Sequence, residues 1–234
     1  MRQQFIFTIF AMLLVGTLSG ETRDASLKAQ TPADTIRKEG YALIFNSNDP
    51  NLVPAVKQKL IDTYFQVYPV LVKTFNKKAT KNVVFIVDTA YKYVAESSGG
   101  EVKFSAGYLK AHPYDTDVVT HETMHIVQGY GDSTGPGWLT EGIADYVRYA
   151  YGIDNAGSKW ALPDYNAKQN YTNSYRITGR FLLWIEQHVK KGTVKMMDAS
   201  LRTHTYNDGT WKELTGKTLD ELWAVYASSP AVTV

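Results

Sequence analysis

Cysteine is missing from all 234 residues. Its absence excludes disulfides, thiolate metal ligands and a lipidated N-terminal cysteine, so any metal must be held by His, Asp or Glu. An excess of one charge is missing too. The chain carries 25 Lys and Arg against 23 Asp and Glu, a formal net charge of +2, which gives no electrostatic footprint for nucleic acid. There is no glycine-rich phosphate loop in a strand-to-helix context, which argues against a nucleotide or organic cofactor. Internal repeats and low-complexity tracts are also absent. What remains is an ordinary globular composition, 44% hydrophobic and 21% charged, in a chain long enough for one well-buried domain of roughly 200 residues.

The N terminus is different in kind. Arg2 is followed by an apolar run from Phe5 to Leu18, then by the small residues Ser19 and Gly20. Residues 1–20 therefore read as a secretory signal peptide, the alternative being an uncleaved anchor helix, for which the run is short. Export without disulfides suits a secreted protein or one of the bacterial periplasm or cell envelope, with no stable membrane association after cleavage. Residues 21–38 are polar, contain Pro32 and lack a sustained apolar period, so we expect a flexible segment leading into the fold.

Beyond it, Tyr41–Phe45 is expected to be a strand stopped by an Asn/Asp/Pro turn. Val56, Leu60, Tyr64, Tyr68 and Leu71 recur at helical spacing, giving an amphipathic helix over Val53–Phe75. "NVVFIVDTA" is a buried strand. "YKYVAESSGG" offers a strand or short helix ending in a Gly99-Gly100 turn, with a strand from Val102 to Leu109 after it. Helices then dominate: Asp117–Tyr130, Thr140–Tyr151, Ser174–Lys190, Val194–Arg202 and Thr218–Ser228. Gly131, Gly152 and Gly192 sit where helix C-terminal glycines belong, and Thr218–Glu221 has capping-box spacing. Strands and one helix followed by a helical half make an α+β arrangement.

The chemistry falls at the junction, in "HETMH". His121 and His125 are four apart, so on a helix both imidazoles stand on one face and can reach one ion. Glu122 completes HExxH, the pattern in which the carboxylate serves as general base of a zinc peptidase. With 5 His and 9 Glu in 234 residues, about 0.004 occurrences are expected by chance, which makes the match informative against two histidines on a solvated face. A hydrolytic zinc site needs a third protein ligand and an open position. The extended metzincin pattern is excluded, because Gln128 and Gly131 stand where it needs Gly and His. Instead, after a turn rich in Gly and Pro, Glu141 and Asp145 share one face of a second helix. Glu141 is the natural third ligand. Asp145, one turn further on, can accept the second N–H of a ligand histidine and fix its tautomer. The bland alternative for both acids is a solvated surface.

"HETMHIVQ", "PGWLTEGIADYVR", "YRITGRFLLWIEQH" and "LTGKTLDELWAVY" together resemble the plant basic secretory protein family, also described as peptidases of plants and bacteria, among the gluzincin-like metallopeptidases. The resemblance runs from about Tyr41 to Tyr226. It implies a single zincin-like domain over residues 39–234, a small mixed N-terminal sheet above an active-site helix, and a mostly helical C-terminal half. It also implies a secreted zinc peptidase acting on a peptide or protein. His121, His125 and Glu141 match the family's metal ligands and Glu122 its catalytic glutamate. Gln128 and Asp145 match positions around the site, where we expect them to brace the ligands. The near-neutral charge departs from the basic plant members, so no role tied to strong basicity transfers.

Such a peptidase also needs a group for the tetrahedral oxyanion. Tyr175 is the first choice, with Tyr171 and His188 behind it. Arg180 is either a binder of a substrate carboxylate or, as is commoner on a helix, a structural ion-pair partner. His188, amid Ile185 and Val189, reads as a packed core histidine, and His112 and His204 as exposed loop residues. The strand containing "KFSAGYL" is expected to offer its edge to an extended substrate, unless both of its edges are paired. Two other functions stay open: a binding protein on a retired peptidase scaffold, and a metallohydrolase of a non-peptide amide.

Overall fold

The computed structural model describes residues 34–131 and 135–233; the expected signal peptide and most of the segment after it lie outside the described residues. Five strands form one mixed sheet: β1 (Asp34–Lys38), β2 (Tyr41–Ser47), β3 (Asn82–Asp88), β4 (Ala95–Ser98) and β5 (Glu101–Ser105), in the order β1-β2-β3-β5-β4. β2, β3 and β5 run parallel, and β1 and β4 flank them antiparallel.

β1 falls within the segment expected to be flexible. Its sequence, DTIRK, shows one half-buried residue, Ile36, between exposed ones, so it has no apolar period to read. A two-residue turn makes it a strand: Glu39 and Gly40 both have positive φ, 50° and 81°, the twist that closes tight hairpins. The expected turn at Gly99 (φ 58°) and Gly100 (φ 86°) joins β4 to β5 in the same way. β5 stops at Ser105, four residues short of the expected Leu109. Ser105 caps a six-residue helix, α2 (Ala106–Ala111), by accepting a hydrogen bond from the Tyr108 N–H, as short hydroxyl side chains do at helix starts.

Helix α1 (Pro54–Thr74) buries Leu60, Tyr64, Tyr68 and Leu71, the periodic set read from the sequence, in one core with Leu43, Phe45, Phe85 and Phe104 of the sheet. Tyr64 meets Phe85 edge-on, centroids 5.5 Å apart, and Phe85 meets Phe104 at 5.1 Å. Then come α3 (Val118–Gln128), α4 (Gly137–Tyr151), α5 (Tyr175–His188), α6 (Thr193–Arg202), the short α7 (Thr210–Thr215) and α8 (Leu219–Ser228). All but α2 and α7 were legible as helices. Of the three expected glycine stops, Gly152 does end α4, its N–H donating to the Arg148 carbonyl, whereas α3 ends at Gly129 (φ 49°) rather than Gly131 and Gly192 precedes α6 instead of ending α5. The Thr218–Glu221 capping box is present in full.

α4 lies unusually close to α5. A Cβ on Gly142 would stand 2.2 Å from Thr178 Cγ2, and one on Gly179 would stand 3.1 Å from the Tyr146 nitrogen. Only glycine permits this approach. The molecule is α+β, with a small mixed sheet and a largely helical second half, as the sequence implied. Among the described residues no helix is long and apolar enough to cross a membrane.

Candidate metal centre and active site

α3 carries HETMH on its most buried stretch. His121, Glu122 and Gln128 are buried and His125 is half-buried. α4 folds back beside α3, three residues earlier than the sequence suggested because Pro136 precedes its first turn. Proline suits a helix start, where an N–H would go unpaired anyway. The result brings the expected ligands together. His121 Nε2 lies 3.1 Å from His125 Nε2 and 3.2 Å from Glu141 Oε2, and His125 Nε2 lies 3.4 Å from the same oxygen.

These three donor atoms can hold a metal ion. For zinc the test is geometric: ligands about 2.0–2.1 Å from a tetrahedral ion stand about 3.3 Å from one another, and the three observed edges scatter around that value. The donor chemistry agrees. His121 Nδ1 is 2.7 Å from Asp145 Oδ1, and His125 Nδ1 is 2.6 Å from Gln128 Oε1. Each ring therefore donates from Nδ1, leaving both Nε2 lone pairs to converge on one point. Gln128 also donates from Nε2 to the Thr140 carbonyl at 2.9 Å, the peptide just before Glu141. Asp145 and Gln128, the residues expected to brace the ligands, make these hydrogen bonds, and each bond ties a histidine of α3 to α4 or to the residue that reaches it.

The electrostatics favour a cation at this point. Burial opposes charge on His121, but hydrogen bonds to Asp145 and Glu141 and the Asp145 and Glu122 charges outweigh it, pushing its pKa up to about 10. Burial would raise the Glu141 carboxyl, yet the hydrogen bonds and charges of His121 and His125 hold it well below the usual carboxylate range. A field that holds a proton so firmly also attracts a metal ion, which competes for the same lone pair.

Glu122 and Tyr175 share a cavity of about 570 Å³ with the three ligands. Tyr175 opens α5, and its ring lies parallel to that of His121, centroids 6.2 Å apart. The chain reaches it through two strained residues, Ser174 (φ 67°, ψ −179°) and Tyr175 itself (φ 48°). Side-chain-bearing residues adopt such angles at a cost of about 1–3 kcal/mol each. The negative charge of Glu141, then burial, raises the phenol pKa, so Tyr175 keeps its proton.

The alternatives to Tyr175 are committed elsewhere. Tyr171 donates to Asp220 at 2.8 Å. His188 is exposed, not a packed core residue, because the last turn of α5 rotates it outward to within 2.9 Å of the Ala231 carbonyl. Arg180 is buried and pairs with Asp164 at 3.1 Å, the structural role foreseen as the alternative. His112 and His204 are exposed, as expected.

One expectation resolves to its alternative, and one feature of the site has no signal in the sequence. The strand with "KFSAGYL" is interior, since β5 is paired by β3 on one side and β4 on the other. The open edge beside the site belongs to β4, whose Ala95, Glu96 and Ser97 line the cavity. Ser97 Oγ lies 2.9 Å from Glu122 Oε2 and 2.8 Å from the Glu122 carbonyl oxygen, tethering the carboxylate to the strand. Nothing in the local sequence marks Ser97, because its contact spans the sheet and α3.

A search of curated proteins found no match. Among solved structures, an M1 zinc metallopeptidase from Deinococcus radiodurans superimposes with a TM-score of 0.43 at 13% identity, over 85% of this chain and 47% of that one. A two-domain M1 zinc metallopeptidase mutant bound to L-tryptophan gives 0.42 at 14% identity, over 87% and 48%. The chain spans about half the length of these enzymes. The family described as peptidase of plants and bacteria matches residues 42–226. Because that match runs from the second strand through the paired histidines to the last helix, the chain belongs to the peptidases of plants and bacteria.

Proposed function

We propose that this family member is an exported zinc-dependent peptidase that uses water as nucleophile and Glu122 as general base. The observation that carries the reading is the triangle of His121 Nε2, His125 Nε2 and Glu141 Oε2, with edges of 3.1, 3.2 and 3.4 Å and Glu122 in the same cavity. Zinc bound there lowers the pKa of a water molecule to about 7 and polarises a carbonyl. Glu122 takes the proton of the attacking water and passes it to the leaving amine. Ser97 holds that carboxylate against β4. Tyr175, protonated, donates its phenolic hydrogen to the developing oxyanion. An extended peptide adds to the open edge of β4, so the role first assigned to the following strand moves to this one. Export rests on the leader read from residues 1–20.

The test is to purify the protein, quantify its metal, and compare cleavage of a diverse peptide library by wild type, Glu122→Gln and His125→Ala. Chelator-sensitive cleavage should vanish in Glu122→Gln with zinc retained, and in His125→Ala with zinc lost. Stoichiometric zinc without cleavage would instead indicate a binding scaffold, and hydrolysis confined to non-peptide amides a different hydrolase.

A further inference from the structure

A second cavity, of about 640 Å³, adjoins the first and shares Ala95 and Tyr175 with it. Its walls are aromatic. Tyr91 and Tyr93 come from the segment before β4, Tyr108 from α2 and Tyr175 from α5. Tyr91 and Tyr93 meet edge to face, centroids 5.8 Å apart. Tyr93 is 78% exposed and Val94 43%. Adjacent large apolar side chains left in solvent at the rim of a cleft mark a binding surface more often than scattered ones do. Ser105 and the exposed Gly107 complete the lining, and a Cβ on Gly107 would meet nothing nearer than Ser105 Oγ at 3.6 Å, so a larger side chain has room to stand there.

Charge selects among guests. Tyrosine faces attract cations as well as rings, but here a cation is already in place: Lys103 Nζ stands 5.6 Å from the Tyr91 centroid. Lys92 lines the cavity, and no carboxylate does so among the described residues. A lysine or arginine guest would meet the like charge of Lys92, while Glu96, the carboxylate beside Tyr91, is already paired with Lys103 at 2.9 Å. An acidic guest would meet Lys92 but would give up its water against four rings. An aromatic or long aliphatic side chain loses nothing and gains ring contacts.

The geometry points to this cavity as the subsite that selects a bulky apolar side chain, aromatic foremost, on the peptide residue flanking the scissile bond toward Tyr93. The inference rests on the peptidase reading of the adjoining cavity. It adds a substrate class, and it makes Tyr175 a wall of both spaces, so that the guest's fit bears on the placement of the phenol.

Capped peptides carrying Phe, Leu, Ala, Lys or Glu at each of three positions on either side of a mapped cleavage bond provide the test. In wild type, one position should favour Phe over Ala by about tenfold or more in kcat/KM, with Lys no better than Ala. Gly107→Leu, which adds bulk to the lining, and Tyr93→Ala, which removes a wall, should each bring that ratio near one. A ratio measured within one protein is insensitive to overall loss of activity. A second readout needs neither turnover nor metal: calorimetric binding of the Phe and Ala peptides to Glu122→Gln, with and without zinc, where the Phe preference should disappear on adding Gly107→Leu. Glu122-dependent cleavage with a Phe:Ala ratio unmoved by both variants overturns the subsite and leaves the peptidase standing. Selective, Gly107-dependent binding without any cleavage sustains the subsite and overturns the peptidase. Neither cleavage nor selective binding overturns both.

Discussion

Asp145→Asn isolates what the carboxylate behind His121 contributes. Asp145 is 4% exposed and accepts from His121 Nδ1 at 2.7 Å. Asparagine keeps a carbonyl oxygen at nearly the same place, so the hydrogen bond survives and only the charge is lost. Hydrogen bonds to charged groups contribute about 1.5–3 kcal/mol and neutral ones about 1, which leaves a difference of about 1–2 kcal/mol. Each 1.4 kcal/mol is a factor of ten in affinity, so zinc binding should weaken about tenfold, within the range known for such outer partners. Asp145→Ala goes further, because His121 then keeps a buried N–H with no acceptor, at a further cost of about 1–3 kcal/mol. Competition against a chromophoric chelator at fixed pH, with thermal unfolding of the metal-free proteins as a folding control, should rank wild type above Asn above Ala. Equal affinities across the three would refute the claim that this carboxylate tunes the ligand.

Three further outcomes follow from the same geometry. The His121 pKa is raised above its ordinary 6.5 to about 10, so its contribution to metal-free stability is present below 6.5 and is lost as pH climbs toward 10; zinc must displace that proton, so zinc stabilisation should grow over the same range, and melting temperatures in chelator and in zinc should diverge between pH 6.5 and 9, parallel curves counting against the assignment. Ser97→Ala frees Glu122 from its 2.9 Å tether and should lower kcat about three- to tenfold while moving KM less than about twofold, with Ser97→Thr restoring most of it; a change in KM alone would place Ser97 in substrate binding. Gly142→Ala sets a methyl 2.2 Å from Thr178 Cγ2 and should cost about 1–3 kcal/mol in chemical denaturation and weaken zinc binding through Glu141, with partial recovery on adding Thr178→Gly; an unchanged midpoint would mean that α4 and α5 have room to spare.

Legibility tracked the range of the interaction. The i, i+4 spacings of His121 with His125 and of Glu141 with Asp145 are helix properties, and a helix needs only its own period to place them on one face. Longer helices were readable for the same reason, whereas α2 and α7, at six residues each, are too short to show a period. β1 escaped because a strand with both faces largely in solvent has no alternation. The interior place of β5 stays one of two alternatives in the sequence because strand order is decided by which neighbours pair across the sheet, and β4, only four residues long, reaches it through a glycine turn.

The candidate ligands and their partners Asp145 and Gln128 have a signal in the sequence, whereas Ser97 and the placement of Tyr175 have little, and the difference has a cause. A ligand must be His or a carboxylate, so few positions qualify, but a tyrosine that faces a cleft is chemically the same as the fifteen others in the chain. What separates Tyr175 is the strained backbone before it, a tertiary fact. The supports also close in a crosswise pattern: α3 reaches α4 through His121 and Asp145, and again through Gln128 and the Thr140 carbonyl, while Ser97 fastens Glu122 to β4. Apart from the His125–Gln128 bond within α3, each of these bonds joins two elements, so the arrangement takes shape as α3, α4 and β4 dock, and it depends on the α4–α5 approach that Gly142 permits directly beside Glu141.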